Sequence, residues 1–199
     1  NRLKKTLLLI LFVTLLSSNT NLCSSAYAQS SEARELNRKG VIALESGRFE
    51  DAVNLLKKAM ALEPKWGEPC YNASRLLRIK GKREEMTKML RKANGVEPDN
   101  PTYAEEYVKI LTEDYQATAN ISEKAEIRKE ILRVQPGNLK MGLESVKELL
   151  KTDKKDEAYE QGELILSKNT DKRSKYENKE MGELFYIVAQ IAYERGDLD

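Results

Sequence analysis

The sequence predicts an all-α protein built from paired antiparallel helices. Apolar and small residues recur at steps of three and four along residues 33–64, as they do on one face of an α-helix. Gly47 divides this stretch into two helical segments. The pattern then returns 34 residues later, where Gly81, Ala93 and Pro98 follow Gly47, Ala59 and Pro64. A fixed period of this length predicts helix pairs stacked side by side.

The composition agrees with exposed helices and narrows the possible chemistry. Of the 199 residues, 33% are charged and 7% are aromatic, which suits a helical array better than a sheet core. The chain has no histidine, so it has no imidazole base and no histidine metal ligand. It also lacks a glycine-rich phosphate loop. We therefore predict a protein that is not an enzyme and that needs no cofactor or metal.

The first two helix pairs are predicted at residues 33–66 and 67–100. Small side chains at Gly40, Ala52 and Ala59 allow the helices of the first pair to approach closely. In the second pair, the residues predicted to face inward are Cys70, Ala73, Ser74 and Leu77 on the first helix, and Met86, Leu90 and Ala93 on the second.

Later pairs are less regular. A third pair is predicted at 101–138, and it begins with a proline that suits the first turn of a helix. Its four additional residues are placed near 115–120, as a longer turn or an extended helix. A fourth pair is predicted at 139–172, where Gly142 and Gly162 should each cost about 1 kcal/mol relative to alanine.

The last predicted pair is incomplete. A polar insert at 173–181 precedes a single first helix and turn at 182–199. The inward residues predicted on this helix are Phe185, Val188, Ala189 and Ala192.

Residues 1–28 have the pattern of a secretory signal peptide, followed by a short polar lead at 29–32. Arg2, Lys4 and Lys5 precede an apolar run at 7–16, and small residues stand before a cleavage point after Ala28. Two alternatives remain open: a retained membrane anchor, and a lipoprotein modified at Cys23. We expect contact with the membrane only through this segment, if it is not cleaved.

Cleavage changes the charge and the cysteine content. It removes three of the 34 basic residues and no acidic residue, which leaves 31 basic against 32 acidic side chains. This balance gives no reason to expect a nucleic-acid partner. Cys70 remains as a single cysteine, so the cleaved chain cannot form an internal disulfide.

The 34-residue period, with Gly47, Ala59 and Pro64 at fixed positions, resembles the tetratricopeptide repeat (TPR) family. The resemblance implies a right-handed α-solenoid whose first helices line a concave groove for an extended peptide or a partner's helix. The groove positions implied for this chain are Arg34, Asn37, Val41 and Leu44, then Tyr71, Arg75 and Arg78, then Glu105, Lys109 and Thr112.

From these positions we select five candidate partner-binding residues: Asn37, Tyr71, Arg75, Arg78 and Lys109. Tyr71, Arg75 and Arg78 form the best local set, because an aromatic ring beside two guanidiniums can hold an acidic or aromatic group. Some family members clamp a peptide's terminal carboxylate. We do not predict that clamp, because Val41 and Glu105 replace the polar or basic residues that it requires.

The predicted function is that of an exported scaffold or adaptor that binds a protein or peptide partner in the bacterial periplasm or cell envelope. The alternative is a docking arm of a larger enzyme whose catalytic domain lies beyond residue 199.

Overall fold

A computed structural model of the protein describes residues 31–169 and 179–197. The predicted signal peptide and residues 173–178 of the predicted insert lie outside these ranges. All regular secondary structure within the two ranges is helical, with no strand, which confirms the predicted all-α fold class. No helix in the same ranges is long and apolar enough to cross a membrane.

Within residues 31–169, the helices follow one another with short connections. The first helix, α1, covers residues 31–45 of the described chain. The others, in order, are α2 (Phe49–Leu62), α3 (Glu68–Ile79), α4 (Arg83–Val96), α5 (Pro101–Ala117), α6 (Ile121–Val134), α7 (Leu139–Lys151), α8 (Lys155–Ser167) and α9 (Lys179–Arg195). The chain forms two compact units that divide between Tyr103 and Ala104.

The turns that close the helix pairs of the first unit share one geometry. Gly47 and Gly81 have φ angles of 72° and 67°, which lie in the left-handed region that glycine adopts without strain. After α1, the N–H of Arg48 donates to the carbonyl of Ala43 at 2.8 Å. This is the bond of a Schellman motif, which satisfies carbonyls left open at a helix end. After α3, the bond from Lys82 to Leu77 is 2.9 Å long.

Small residues hold the helices of the first unit close together. Ala52, Ala59 and Ala93 are fully buried. A Cβ atom added to Gly40 would lie 2.9 Å from Leu56, so this position on α1 has room only for glycine unless the leucine moves. The sequence prediction that short side chains mark the helix contacts agrees with these positions.

The buried face of α3 differs in part from the predicted one. Cys70 and Ser74 are buried, as predicted. Ala73 and Leu77 were also predicted to be buried but are only half-buried, and Leu76 is buried instead. Helix α3 contacts both α2 and α4, and on one side Leu76 packs with Ala43 and Ala52 in one apolar cluster. Ala73 and Leu77 instead face an open groove, which is described below.

In the second unit, the additional residues of the third pair lengthen its first helix. Helix α5 has 17 residues where α3 has 12, and it continues to Ala117. The Asn120 side chain caps α6 by accepting from the N–H of Glu123 at 3.2 Å. Tyr107 is buried and donates its hydroxyl to Glu130 at 2.7 Å, which joins α5 to α6.

Glycines mark the closest contacts of α7, α8 and α9. A Cβ atom at Gly142 would lie 2.4 Å from Cδ1 of Ile165, and one at Gly162 would lie 2.4 Å from Cγ2 of Val188. The two glycines therefore lower the helix propensity of α7 and α8, but they permit the helices to pack closely. The turn between α7 and α8 has the same left-handed geometry as in the first unit, here at Asp153 with a φ of 59°.

The prediction of the inward face of α9 is wrong at two positions. Phe185 is 39% exposed and Ala189 is also exposed, whereas Leu184 and Ile191 are buried beside Val188. Because α9 packs on both α7 and α8, its buried stripe follows residues 181, 184, 188, 191 and 192. At the start of the helix, the predicted inward residue is Phe185, whereas the buried residue is Leu184, one position earlier.

Replacing Gly162 with alanine should destabilise the protein by about 1–3 kcal/mol, because the added methyl group overpacks the contact with Val188. Valine is stiff at χ1 and cannot easily turn away. Chemical denaturation measures the effect. The matched control is Gly182→Ala on α9, where a new Cβ meets nothing within 4 Å and should stabilise the helix by up to about 1 kcal/mol. Equal midpoints for the two variants would contradict the packing described.

Candidate partner-binding site

A chain of hydrogen bonds crosses from α1 to α3 in the first unit. The Asn37 amide donates to Oε1 of Glu68 at 2.9 Å. The Asn72 amide donates to Oδ1 of Asn37 at 3.0 Å. At its far end, Nη1 of Arg75 donates to Oδ1 of Asn72 at 3.4 Å. We call these four residues the amide chain.

The two asparagines of the amide chain lie inside the contact between the helices. Each is only 4% exposed. A buried amide without partners costs free energy, so their mutual bond stabilises this helix contact. Asn37 was predicted to contact a partner directly; its side chain is bonded to Glu68 and Asn72, and contact with a partner stays a prediction.

An open cleft lies over the beginning of the amide chain. It has a volume of about 530 Å³, and its lining residues are Arg34, Asn37, Arg38, Val41, Ile42, Trp66 and Glu68. We call it the α1–α3 cleft. Of the groove positions implied by the family resemblance, Arg34, Asn37 and Val41 therefore line one cavity. Its mixture of guanidiniums, apolar side chains and an indole can hold polar and apolar groups together.

The sequence interpretation missed Trp66 and Ile42. Trp66 lies after α2, outside the helical periodicity that was used to find groove positions. It also lines a smaller hollow of about 220 Å³ with Arg34, Glu63 and Lys65. Arg34 and Trp66 are common to both hollows and so stand between them. As the only tryptophan of the chain, at the end of the first predicted repeat, Trp66 could have been selected from the sequence.

A local ion pair fixes the charge at one wall of the cleft. Arg38 donates two hydrogen bonds to Glu35, at 2.8 and 2.7 Å. These bonds lower the pKa of Glu35 to about 2. Arg38 therefore keeps an ionised partner across the physiological range, which leaves Arg34 as the other cation of the cleft.

Tyr71 is held by a second aromatic ring. Its ring centroid lies 5.1 Å from that of Tyr103, with the planes tilted by 32°. Tyr103 is buried, and that burial, together with the nearby Glu97 and Glu68 carboxylates, raises its pKa to about 12. The buried Tyr103 ring packs against the half-buried Tyr71 side chain and holds it in place.

The predicted set on α3 forms one stripe with Glu68. Glu68, Tyr71, Arg75 and Arg78 follow at steps of three, four and three, which places them on successive turns of one helix face. Arg75 and Arg78 are both exposed along this face. The stripe begins in the α1–α3 cleft at Glu68 and continues to Arg75, whose guanidinium is positioned by Asn72.

Lys109 belongs to the second unit. It is exposed on α5, as is Glu105 one turn before it. Thr112 donates its hydroxyl to the carbonyl of Val108 at 2.8 Å, within the same helix. The prediction that Lys109 contacts a partner stays a prediction.

The cysteine and acidic side chains of the described residues were also considered as a metal site. Within residues 31–169 and 179–197, no three acidic or cysteine side chains are grouped closely enough to hold a metal ion. Cys70 is buried, and desolvation raises the pKa of its thiol. A buried thiol with a raised pKa is a poor nucleophile, which agrees with a packing role.

Comparisons with known proteins identify the first two helix pairs. Residues 33–65 and 67–100 each match the family described as tetratricopeptide repeat. These segments contain α1 with α2 and α3 with α4, so the first unit carries two TPR repeats, as the sequence resemblance predicted. No curated protein matches the chain.

Solved structures with a similar fold include proteins titled as TPR proteins. A Pseudomonas aeruginosa PilF structure is 17% identical, over 85% of this chain and 72% of that one, with a TM-score of 0.41. YrrB, titled a TPR protein with an unusual peptide-binding site, is 13% identical over 89% and 84%, also with a TM-score of 0.41. A thermophilic TPR protein of Thermus thermophilus is 16% identical over 82% and 83%, with a TM-score of 0.38. Identities and scores this low transfer neither a partner nor a site residue.

Replacing Asn72 with alanine should cost about 1–3 kcal/mol of stability, because the buried Asn37 carbonyl loses its donor. Thermal or chemical denaturation of the variant measures this loss. The control is Asn54→Ala, an exposed asparagine on α2 of the same unit, which should change stability by less than about 0.5 kcal/mol. A loss no larger than in the control would mean that the amide chain does not hold α1 to α3.

Proposed function

We propose that this chain is an exported, non-catalytic adaptor that binds a protein or peptide partner on the α1–α3 face of its first unit, in the bacterial cell envelope. The observation that carries the proposal is the α1–α3 cleft, which is continuous with a prearranged stripe of Glu68, Tyr71 and Arg75. TPR repeats provide a scaffold whose activity is association with other proteins.

The chemistry of the face favours a partner segment with both acceptor and apolar groups. Arg34 and Arg75 can each donate two parallel hydrogen bonds to a carboxylate or to backbone carbonyls. Trp66 and Tyr71 offer aromatic surface beside these guanidiniums, a combination that is frequent among residues that dominate binding energy. Because Arg75 and Tyr71 are already positioned by Asn72 and Tyr103, binding requires little additional ordering.

Export is supported by the sequence. The basic residues at positions 2, 4 and 5, the apolar run at 7–16 and the small residues before position 29 follow the order of a signal peptide. An exported TPR adaptor would meet its partner in the periplasm or cell envelope. The near-neutral charge after cleavage suits a protein partner better than a nucleic acid.

Removing two arginines should weaken partner binding without unfolding the protein. The partner is first identified by pull-down from envelope extract with the chain lacking residues 1–28, and is then purified. Arg75→Ala with Arg78→Ala should reduce its affinity by about 1–3 kcal/mol, measured by calorimetry. The matched control, Arg83→Ala with Arg91→Ala, removes the same charge from exposed positions on α4. Unchanged affinity in the first pair, with circular dichroism showing an intact fold, would contradict the proposed face.

Expression of the full chain in a bacterial host tests export separately. We expect periplasmic material whose intact mass corresponds to an N terminus at Gln29, because cleavage should follow Ala28. An uncleaved chain in the membrane fraction would support the anchor instead. A lipid mass on Cys23 would support the lipoprotein.

A further inference from the structure

The first unit has a second concavity, on the opposite side of α3 from the proposed binding face. It lies between α2 and α4 and has a volume of about 410 Å³, within the range of about 300–1,000 Å³ typical of ligand clefts. Residues 73, 76, 77 and 80 line it at the end of α3, whereas the stripe of Glu68, Tyr71 and Arg75 points roughly half a helical turn away. We call this cavity the α2–α4 groove.

The floor of the α2–α4 groove is apolar and incompletely covered. Val53 and Met60 of α2, Ala73 and Leu77 of α3, and Met89 of α4 line it, and all five are half-buried. Ala73 and Leu77 were predicted to be core residues and are left partly open here. Methionine side chains adapt their shape to an apolar ligand, so two of them in one floor suit a binding surface.

Lysines surround this floor. The groove is lined by four lysines, at positions 57, 80, 82 and 88, and by a single acidic residue, Glu85. Lys82 pairs with Glu85 at 2.8 Å and Lys88 pairs with Glu84 at 2.6 Å. Among the described residues, Lys57 and Lys80 have no carboxylate within ion-pair distance, and Lys80 lies 5.9 Å from the centroid of the Phe49 ring. The rim therefore carries net positive charge.

We propose that the α2–α4 groove is a docking site for an acidic amphipathic helix of a partner protein. Two apolar side chains, one turn apart on that helix, would enter the floor between Val53 and Met89. Carboxylates on either side would reach Lys57 and Lys80. An amphipathic helix laid into a groove between two helices is a recurring mode of recognition, in which apolar anchors give affinity and flanking charges fix the orientation.

The shape of the site favours a helix over a membrane. The apolar floor is recessed between α2 and α4, and the lysines stand at its edge, so a flat bilayer surface would meet the charges and not the floor. The chain's own apolar run at residues 7–16 is a poor occupant, because it follows three basic residues that would repel the lysine rim. Charge complementarity thus selects an acidic partner.

The test uses three fluorescein-labelled synthetic helical peptides and the chain from Gln29 onward. The first carries two leucines one turn apart, flanked by glutamates. In the second, lysines replace the glutamates; in the third, alanines replace the leucines. Fluorescence anisotropy should show saturable binding of the first peptide alone. No saturable binding of the first peptide, or equal binding of all three, would overturn the proposal.

Variants then locate the site. Lys57→Glu with Lys80→Glu should weaken the first peptide about tenfold, since both rim contacts become repulsive. Lys58→Glu with Lys92→Glu makes the same charge change at exposed positions outside the groove and should leave binding within about twofold. Ala73→Trp should fill the floor and abolish binding, with circular dichroism confirming the fold. Equal weakening in the two lysine pairs would mean that only the overall charge matters, which would overturn the groove as the site.

Two further measurements separate this site from other interpretations. Arg75→Ala with Arg78→Ala should leave binding of the acidic peptide unchanged; if it abolishes binding, the peptide occupies the α1–α3 face and the second site is refuted. Vesicles of phosphatidylcholine with phosphatidylglycerol are the other probe. Sedimentation of the chain with these vesicles, lost in Lys57→Glu with Lys80→Glu, would assign the groove to a lipid surface and overturn the peptide proposal.

Discussion

The left-handed turn between the two helices of a pair is the constraint on which the arrangement of side chains depends. At Gly47, Gly81, Asp153 and Gly196, one residue with positive φ ends a helix, and at the first three the chain then reverses into the next helix. Each time, the next residue donates its N–H to the carbonyl five positions earlier, as Lys154 does to Leu149 at 2.9 Å. Because the reversal is the same, equivalent residues of different pairs meet equivalent neighbours. The α5–α6 connection uses an asparagine cap instead, and that pair departs from the common length.

Close approach between helices explains where small residues are required. At Gly40 against α2, Gly142 against α8 and Gly162 against α9, there is no room for a methyl group unless a neighbour moves. Ala59 and Ala93 occupy corresponding contacts at full burial. The loss of helix propensity at the glycines is offset by the apolar packing that they allow. Their positions reflect neighbours that are distant in sequence, and not local preference.

Sequence periodicity was sufficient to predict the first two helix pairs, because Gly47, Ala59 and Pro64 return 34 residues later as Gly81, Ala93 and Pro98. It also placed Tyr71, Arg75 and Arg78 on one face of α3. It could not predict that Asn37 would be enclosed, since that depends on Asn72 of the next repeat meeting it across the helix contact. The buried face of α9 was also predicted incorrectly because of contacts distant in sequence, since α9 packs on both α7 and α8. Trp66 was missed because it lies between helices, where periodicity gives no information.

The amide chain also has a mechanical consequence. A hydrogen bond of 3.0 Å joins Asn72 to Asn37, whereas one turn of a helix advances about 5.4 Å. Helix α1 therefore cannot slip by a turn along α3 without breaking its bonds to both Glu68 and Asn72. A force applied to the Arg75 side chain is transmitted to α1 through the Arg75–Asn72 and Asn72–Asn37 hydrogen bonds, so both helices resist it. The hydrogen bond between Asn37 and Asn72 therefore fixes the register of α1 against α3, and so of the first repeat against the second.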